Sequence, residues 1–346
     1  MKKNIFALLA AAVLLASCTK NNDWEFPDFD YSTVYFPYQS PVRTITLGED
    51  IYDNTLDNQH KSLIMATLGG VYSNKKDVAI DVVVDNTLTQ NLKYSLPTGV
   101  AGNVVAMPAN YYSLPANMKI VIPEGKMSGG IEVTLTDAFF ADPLAVTNNY
   151  VIPLRMTKVS GADSILRGKT SLSNPDRRIA QNWSIVPKDY ILYAVKFINQ
   201  YHGNYLRRGV DDVKGNGGNT ALDTKISYHK QYVEQDEVVS LTTNSLTDNT
   251  LSLFARNKDN STTAFAVRMK FDNAGKCVVS APAAAGYTVS GTGEFVKKGD
   301  MWGNEKRDVL RLKYQVAFAA STHNFTDTIV MRDRGVKLET FNFVVQ

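Results

Sequence analysis

From Ser32 onward the chain alternates short runs of β-branched and aromatic residues with clusters of Pro, Gly, Asn and Asp, the pattern of strands separated by turns. Val78, Ile80, Val82 and Val84 alternate with Ala79, Asp81, Val83 and Asp85, so one face is apolar and the other mixed, as in a half-buried strand. Ile131, Val133 and Leu135 share a face in the same way against Glu132, Thr134 and Thr136. Ser32 to Pro37, Arg43 to Gly48, Ser62 to Gly69, Tyr111 to Pro115, Lys119 to Pro123 and Tyr150 to Val159 complete the series. No segment of this half carries a sustained helical period. Short strands joined by turn-rich loops over 32–160 predict an antiparallel sandwich of immunoglobulin-like type.

The pattern weakens over 161–187, where Gly, Ser, Asn-Pro and charged residues read as a linker. Trp183 near its end is read as packing at a junction rather than binding a ligand. A second unit, 188–346, opens on the apolar run Tyr190 to Asn199, too short to classify. It continues through Glu237 to Thr243, Thr250 to Asn257, Ala264 to Phe271, Cys277 to Ala281, Tyr287 to Lys297, Val309 to Phe318, Phe325 to Met331 and Phe341 to Val345. Asp272-Asn273-Ala274-Gly275 is a hairpin turn with Gly available for positive φ. Antiparallel strands in sequence order form a meander, and closure removes its edges. An all-β chain with a C-terminal antiparallel barrel is the expectation, with a second sandwich as the alternative.

Composition narrows function by exclusion. The 346 residues carry 37 Lys+Arg against 34 Asp+Glu, too even a balance for a nucleic-acid binder. Two cysteines build neither a disulfide framework nor a multi-thiolate zinc site.

Residues 1–17 read as a signal peptide: Lys2 and Lys3, then the apolar run Ile5 to Leu15, too short to span a membrane. Leu15-Ala16-Ser17-Cys18 resembles the lipobox of bacterial lipoproteins, which implies a lipidated Cys18 anchored to the membrane without crossing it. Cleavage there removes Lys2 and Lys3 and leaves 35 basic residues against 34 acidic. Residues 18–31 form an acidic tether, with Asp23, Glu25, Asp28 and Asp30 close together. It resembles the tether that accompanies export of Bacteroidetes lipoproteins to the cell surface, and it is equally a solvated linker kept extended by charge.

Tyr35-Phe36-Pro37, Arg43-Thr44-Ile45-Thr46-Leu47-Gly48, Gly69-Gly70-Val71-Tyr72, Val78-Ala79-Ile80-Asp81, Leu114-Pro115, Leu135-Thr136-Asp137-Ala138-Phe139 and Tyr150-Val151-Ile152-Pro153-Leu154 resemble the N-terminal immunoglobulin-like domain, of unknown function, of a group of Bacteroidetes surface lipoproteins. Tyr201-His202-Gly203-Asn204-Tyr205 and the strands after it resemble the lipocalin-like (calycin-type) domain that follows it there. The resemblance implies a setting: glycan handling or adhesion at the cell surface, beside the outer-membrane importers of polysaccharide-utilisation systems. It assigns no catalytic residue.

Motifs for chemistry are lacking. His60, His202, His229 and His323 have no spacing that pairs two ligands on a helix, so no metal is expected. Gly215-Asn216-Gly217-Gly218 and Gly291-Thr292-Gly293 lack the context of a phosphate loop, so no cofactor is expected. No Gly-x-Ser-x-Gly elbow occurs, and Cys277 on a strand reads as a buried structural thiol. The expectation is a non-enzyme.

Binding remains. Sugars present C–H patches to aromatic faces and hydroxyls to planar polar groups, which selects Trp302 in the polar stretch 297–307, with Asp300, Asn304 and Arg307 as hydrogen-bonding partners. A Trp folded back on a barrel end as a plug is the other reading of the same residue. Tyr201 and Tyr205 form a second candidate pair, weighed against a place in the barrel core or rim. The expected function is a surface lipoprotein binding glycan or serving adhesion. The alternatives are a carrier enclosing a small apolar molecule and a structural subunit of an outer-membrane complex.

Overall fold

The computed structural model describes residues 30–346; the signal peptide and Cys18 lie outside the described residues. The chain is nearly all β. Its first unit is built on a sheet of twelve strands among the described residues. The alternating strands Lys61–Gly69, Val78–Val84 and Ser128–Leu135 turn Ile64, Ile80, Ile131 and Val133 into one core with Phe36, Ile45 and Phe139. Pairing is mostly antiparallel, but Pro41–Thr46 runs parallel to Tyr190–Ile198 and Thr33–Tyr35 parallel to Ser164–Ile165.

The strand Tyr190–Ile198 departs from the sequence reading, which places it in the second unit. It pairs antiparallel with Tyr150–Ser160 and parallel with Pro41–Thr46, inside the first sheet. Ile191, Tyr193, Val195 and Phe197 face the main core. Tyr190, Leu192 and Ala194 face a second core, with Leu92, Tyr94 and Phe341. Both faces are covered, so the run is apolar at nearly every position and shows no period of two. The second core is closed by a small sheet in which Asn342–Val345 pairs with Leu92–Leu96. The C-terminal strand therefore also belongs to the first unit, not to the barrel.

Between these strands the chain forms a closed barrel of eight antiparallel strands. They are, in order, Gly203–Gly215, Glu237–Thr243, Asp248–Arg256, Thr262–Phe271, Lys276–Ser280, Thr288–Trp302, Glu305–Ala317 and Ser321–Asp333. The first and eighth pair from Asn204 to Gly215 and close the circle. A short extra strand, Thr224–Tyr228, pairs with the far half of the first. The two crossings between units lie side by side, because Asn204 is the register partner of Asp333. The barrel is thus an insertion in the first unit. Arg334, buried at the junction, donates to the carbonyls of Leu47, Glu49, Asn199 and His202. One guanidinium thereby ties both crossings to the loop that follows Pro41–Thr46.

Candidate functional site

The barrel interior is filled by its own side chains. Tyr201 stacks on Phe271 at 3.8 Å and meets Phe295 edge-on, and the Tyr205 hydroxyl donates to the Tyr201 carbonyl at 2.6 Å. At 3% and 0% exposure, neither tyrosine offers a face to a ligand. Both are barrel core, the alternative weighed against them in the sequence.

The filling includes buried charge. On the first and eighth strands Arg207, Asp211, His323 and Asp327 point inward among Tyr205, Val213, Phe325 and Ile329. The Arg207 guanidinium lies 4.0 Å from the centre of the Tyr228 ring and makes ion pairs with Asp327 at 3.0 Å and Glu237 at 3.3 Å. Tyr314 donates its hydroxyl to Asp327 at 2.8 Å. Gly209 makes room for this, since a Cβ there would lie 1.9 Å from Asp327 Oδ1. Burial works against the Arg207 charge, but Asp327, Tyr314 and Glu237 outweigh it and hold the guanidinium protonated. The parity of these strands carried the signal: Arg207, Asp211, His323 and Asp327 are polar residues at inward positions.

Asp211, His323 and Ser321 make a second buried chain. His323 Nδ1 lies 2.7 Å from Asp211 Oδ2, and Nε2 lies 3.2 Å from Ser321 Oγ. This is the connectivity of an acyl-transfer triad. However, His323 is fully buried, with the Phe318 ring 5.3 Å away edge-on. A base that must pass its proton to a leaving group needs access to that group, and this imidazole has none. The chain links the first and eighth strands at the barrel end.

The Trp302 hairpin sits at the end of the barrel nearest the first unit. Gly303 and Asn304, both at positive φ (63° and 62°), form its two-residue turn, the conformation a tight hairpin demands. Asn304 is therefore a turn residue. Asp300 accepts from the Met301 N–H, and Arg307 donates to Glu305 at 2.8 Å and to the Trp302 carbonyl at 3.3 Å. The Arg208 guanidinium lies 5.3 Å from the centre of the half-buried Trp302 ring and is paired with Asp236. The structure brings Trp302, Asp300, Asn304 and Arg307 together in one hairpin, with Tyr201 and Tyr205 separate from them inside the barrel. Trp183 packs against the linker, donating its indole N–H to the Asp176 carbonyl.

The opposite barrel mouth opens into a cleft of about 780 Å³. The Phe318 ring, half-buried against Phe265 and Tyr287, forms part of its wall. Around it stand Asn257, Lys258, Ser261, Thr263 and Ser321. Asn257 donates to Ser261 Oγ at 2.9 Å, and Lys258 donates to the Ala221 carbonyl at 2.8 Å, so the rim is held in place before any ligand arrives. Sequence reasoning saw Phe318 only as a strand end; its place in a mouth follows from barrel closure. Among the described residues, no three His, Cys, Asp or Glu side chains gather as a metal site. No helix among them is long and apolar enough to cross a membrane.

Residues 200–335 match a domain of unknown function, DUF5627, and residues 29–163 match a second family described as an N-terminal domain. A crystal structure of a protein of unknown function from Bacteroides ovatus is 42% identical, at a TM-score of 0.83 over 92% of this chain and 100% of that one. Two further Bacteroides ovatus structures share 14% and 12% identity, cover 90% and 88% of this chain and 99% and 97% of theirs, and superpose at a TM-score of 0.40. One is of unknown function, and the other is a multidomain protein including DUF1735. No curated protein matches.

Proposed function

The chain belongs to the family of the 42%-identical Bacteroides ovatus protein of unknown function, and from that premise we propose that it is a non-enzymatic lipoprotein of the outer cell surface that binds glycan. Cys18 is its lipid anchor, the acidic tether carries it outward, and the inserted barrel is its recognition head. Its setting is a polysaccharide-utilisation system, beside an outer-membrane importer. The observation that carries the binding role is the mouth cleft. A half-exposed aromatic ring stands there among fixed amide, ammonium and hydroxyl groups, the combination that receives the C–H patches and hydroxyls of a sugar. The filled interior argues against the carrier reading, which needs an enclosed apolar cavity.

The binding test is a glycan array probed with the wild type, Phe318→Ala and Trp302→Ala. Retention lost in Phe318→Ala at unchanged melting temperature supports the mouth; loss only in Trp302→Ala moves the site to the hairpin. Absence of retention on every glycan overturns the reading. Cys18→Ser abolishes incorporation of labelled fatty acid and release from intact cells by added protease; persistence of the label rejects the anchor.

A further inference from the structure

The outer face of the barrel carries a groove of about 700 Å³, apart from the mouth, lined by four cations and three carboxylates. Strand register sets its residues in two rows. Lys270, Val278, Thr292, Lys313 and Thr326 are successive partners across the fourth to eighth strands. Two residues along, Lys276, Glu294, Arg311 and Thr328 form the next row. At about 4.8 Å per strand, Lys270 and Lys313 stand about 14 Å apart across the groove.

Among the described residues none of the four cations, Lys270, Lys276, Lys313 and Arg311, makes an ion pair, and Arg311 donates only to the Gly299 carbonyl, at 3.1 Å. Two of the three carboxylates on the lining are engaged elsewhere. Asp272 accepts the backbone N–H groups of Ala274 and Lys276 in the hairpin turn, Asp327 faces inward to Arg207, and Glu294 stands between Lys276 and Arg311 in its row. Arg268 and Arg208, elsewhere on the barrel, are paired with Asp248 and Asp236. Cations that outnumber the carboxylates on a concave face raise the local concentration of anions.

We propose that this groove binds a carboxylated polysaccharide chain, with Lys270 and Lys313 taking carboxylates at its two sides and Arg311, two residues from Lys313 on the seventh strand, taking another. Arg suits the planar carboxylate by its fork, and the lysines act as point charges. Thr292 lies between Lys270 and Lys313, and Thr326 and Thr328 lie beyond Lys313 and Arg311 on the eighth strand, all exposed or half-exposed, where sugar hydroxyls fall. The row of Arg311 and Thr328 continues to Arg208, the residue against Trp302, so a bound chain runs toward that hairpin. The proposal rests on the glycan-binding reading for the polymer and on the groove for the charge.

Affinity electrophoresis through gels containing polygalacturonate, dextran or no polymer tests it, with flotation on phosphatidylglycerol vesicles beside it. Wild-type protein is retarded by polygalacturonate, less at high salt, and the double variant Lys270→Glu with Lys313→Glu binds about tenfold more weakly while keeping its melting temperature. Phe318→Ala leaves this retardation unchanged. Absence of wild-type retardation, unaltered retardation of the double variant, or binding to vesicles alone overturns the proposal. Dextran retardation lost in Phe318→Ala upholds the mouth independently, so the two readings fail separately. Should the double variant unfold, Thr292→Val with Thr326→Val replaces it, with weaker retardation expected and unaltered retardation rejecting the seat.

Discussion

Arg207 and Asp327 meet 3.0 Å apart inside the closed barrel, at 0% and 1% exposure. Removing one partner leaves the other's charge buried, so Asp327→Ala is expected to cost about 3–5 kcal/mol in chemical denaturation. Replacing the set by apolar groups, as Arg207→Met, Asp327→Leu and Tyr314→Phe together, costs less than Asp327→Ala alone. Gly209→Ala destabilises through the carboxylate it displaces. A triple variant less stable than the single one refutes this account.

At the junction, Arg334 donates to four carbonyls drawn from both units. Arg334→Ala leaves buried acceptors unsatisfied and is expected to cost about 2–4 kcal/mol. Limited proteolysis then cuts near 199–202 and 334–338 before it cuts either core. Cleavage elsewhere first denies Arg334 its tying role.

His202 lies beside that arginine, and its Nδ1 is 3.2 Å from the Thr243 N–H. Burial, then the charges of Arg334 and Lys196, push it from 6.5 down to about 4. The unfolded chain therefore binds this proton more readily than the folded one between those values. Its contribution is complete above pH 6.5, falls as the pH drops and levels off near 4, a span of about 3 kcal/mol at most. The denaturant midpoint of His202→Gln should lack this part of the acid slope; identical slopes in the two proteins exclude it.

Cys277 is 4% exposed, and burial pushes its thiol up to about 12. It is expected to stay unmodified by iodoacetamide at pH 8 and to react at the rate at which the barrel opens. Fast native labelling counts against burial.

The alternating strands of the first unit and the hairpin of Asp272 to Gly275 were legible, because a sheet buried on one face writes its period into the chain. Tyr190–Ile198 was not, because both faces are covered and the period vanishes. Nor was the return of Phe341 to the first core, since long-range pairing leaves no local trace. Among candidate site residues, sequence composition located the Trp302 hairpin but missed the turn role of Asn304. Tyr201 and Tyr205 look alike to sequence whether rim or core; only closure against Phe271 and Phe295 decides. The groove cations are visible as residues, but their alignment is a matter of register.

The insertion makes a prediction about fragments. A fragment of 188–346 carries Tyr190–Ile198 with its main-core face and both edges uncovered, and it is expected to aggregate. Residues 30–199 alone lack the strand Asn342–Val345 and the Phe341 side chain, whose loss from a core costs about 3–5 kcal/mol. Residues 30–199 joined to 334–346 through a short Gly/Ser linker restore both, because the crossings are adjacent at Asn204 and Asp333. Residues 200–335 keep all eight barrel strands and are expected to stay monomeric. Circular dichroism melts and sedimentation of the four fragments decide the matter: cooperative melting of 188–346 as a monomer, with collapse of the linked fragment, contradicts the inserted-barrel architecture.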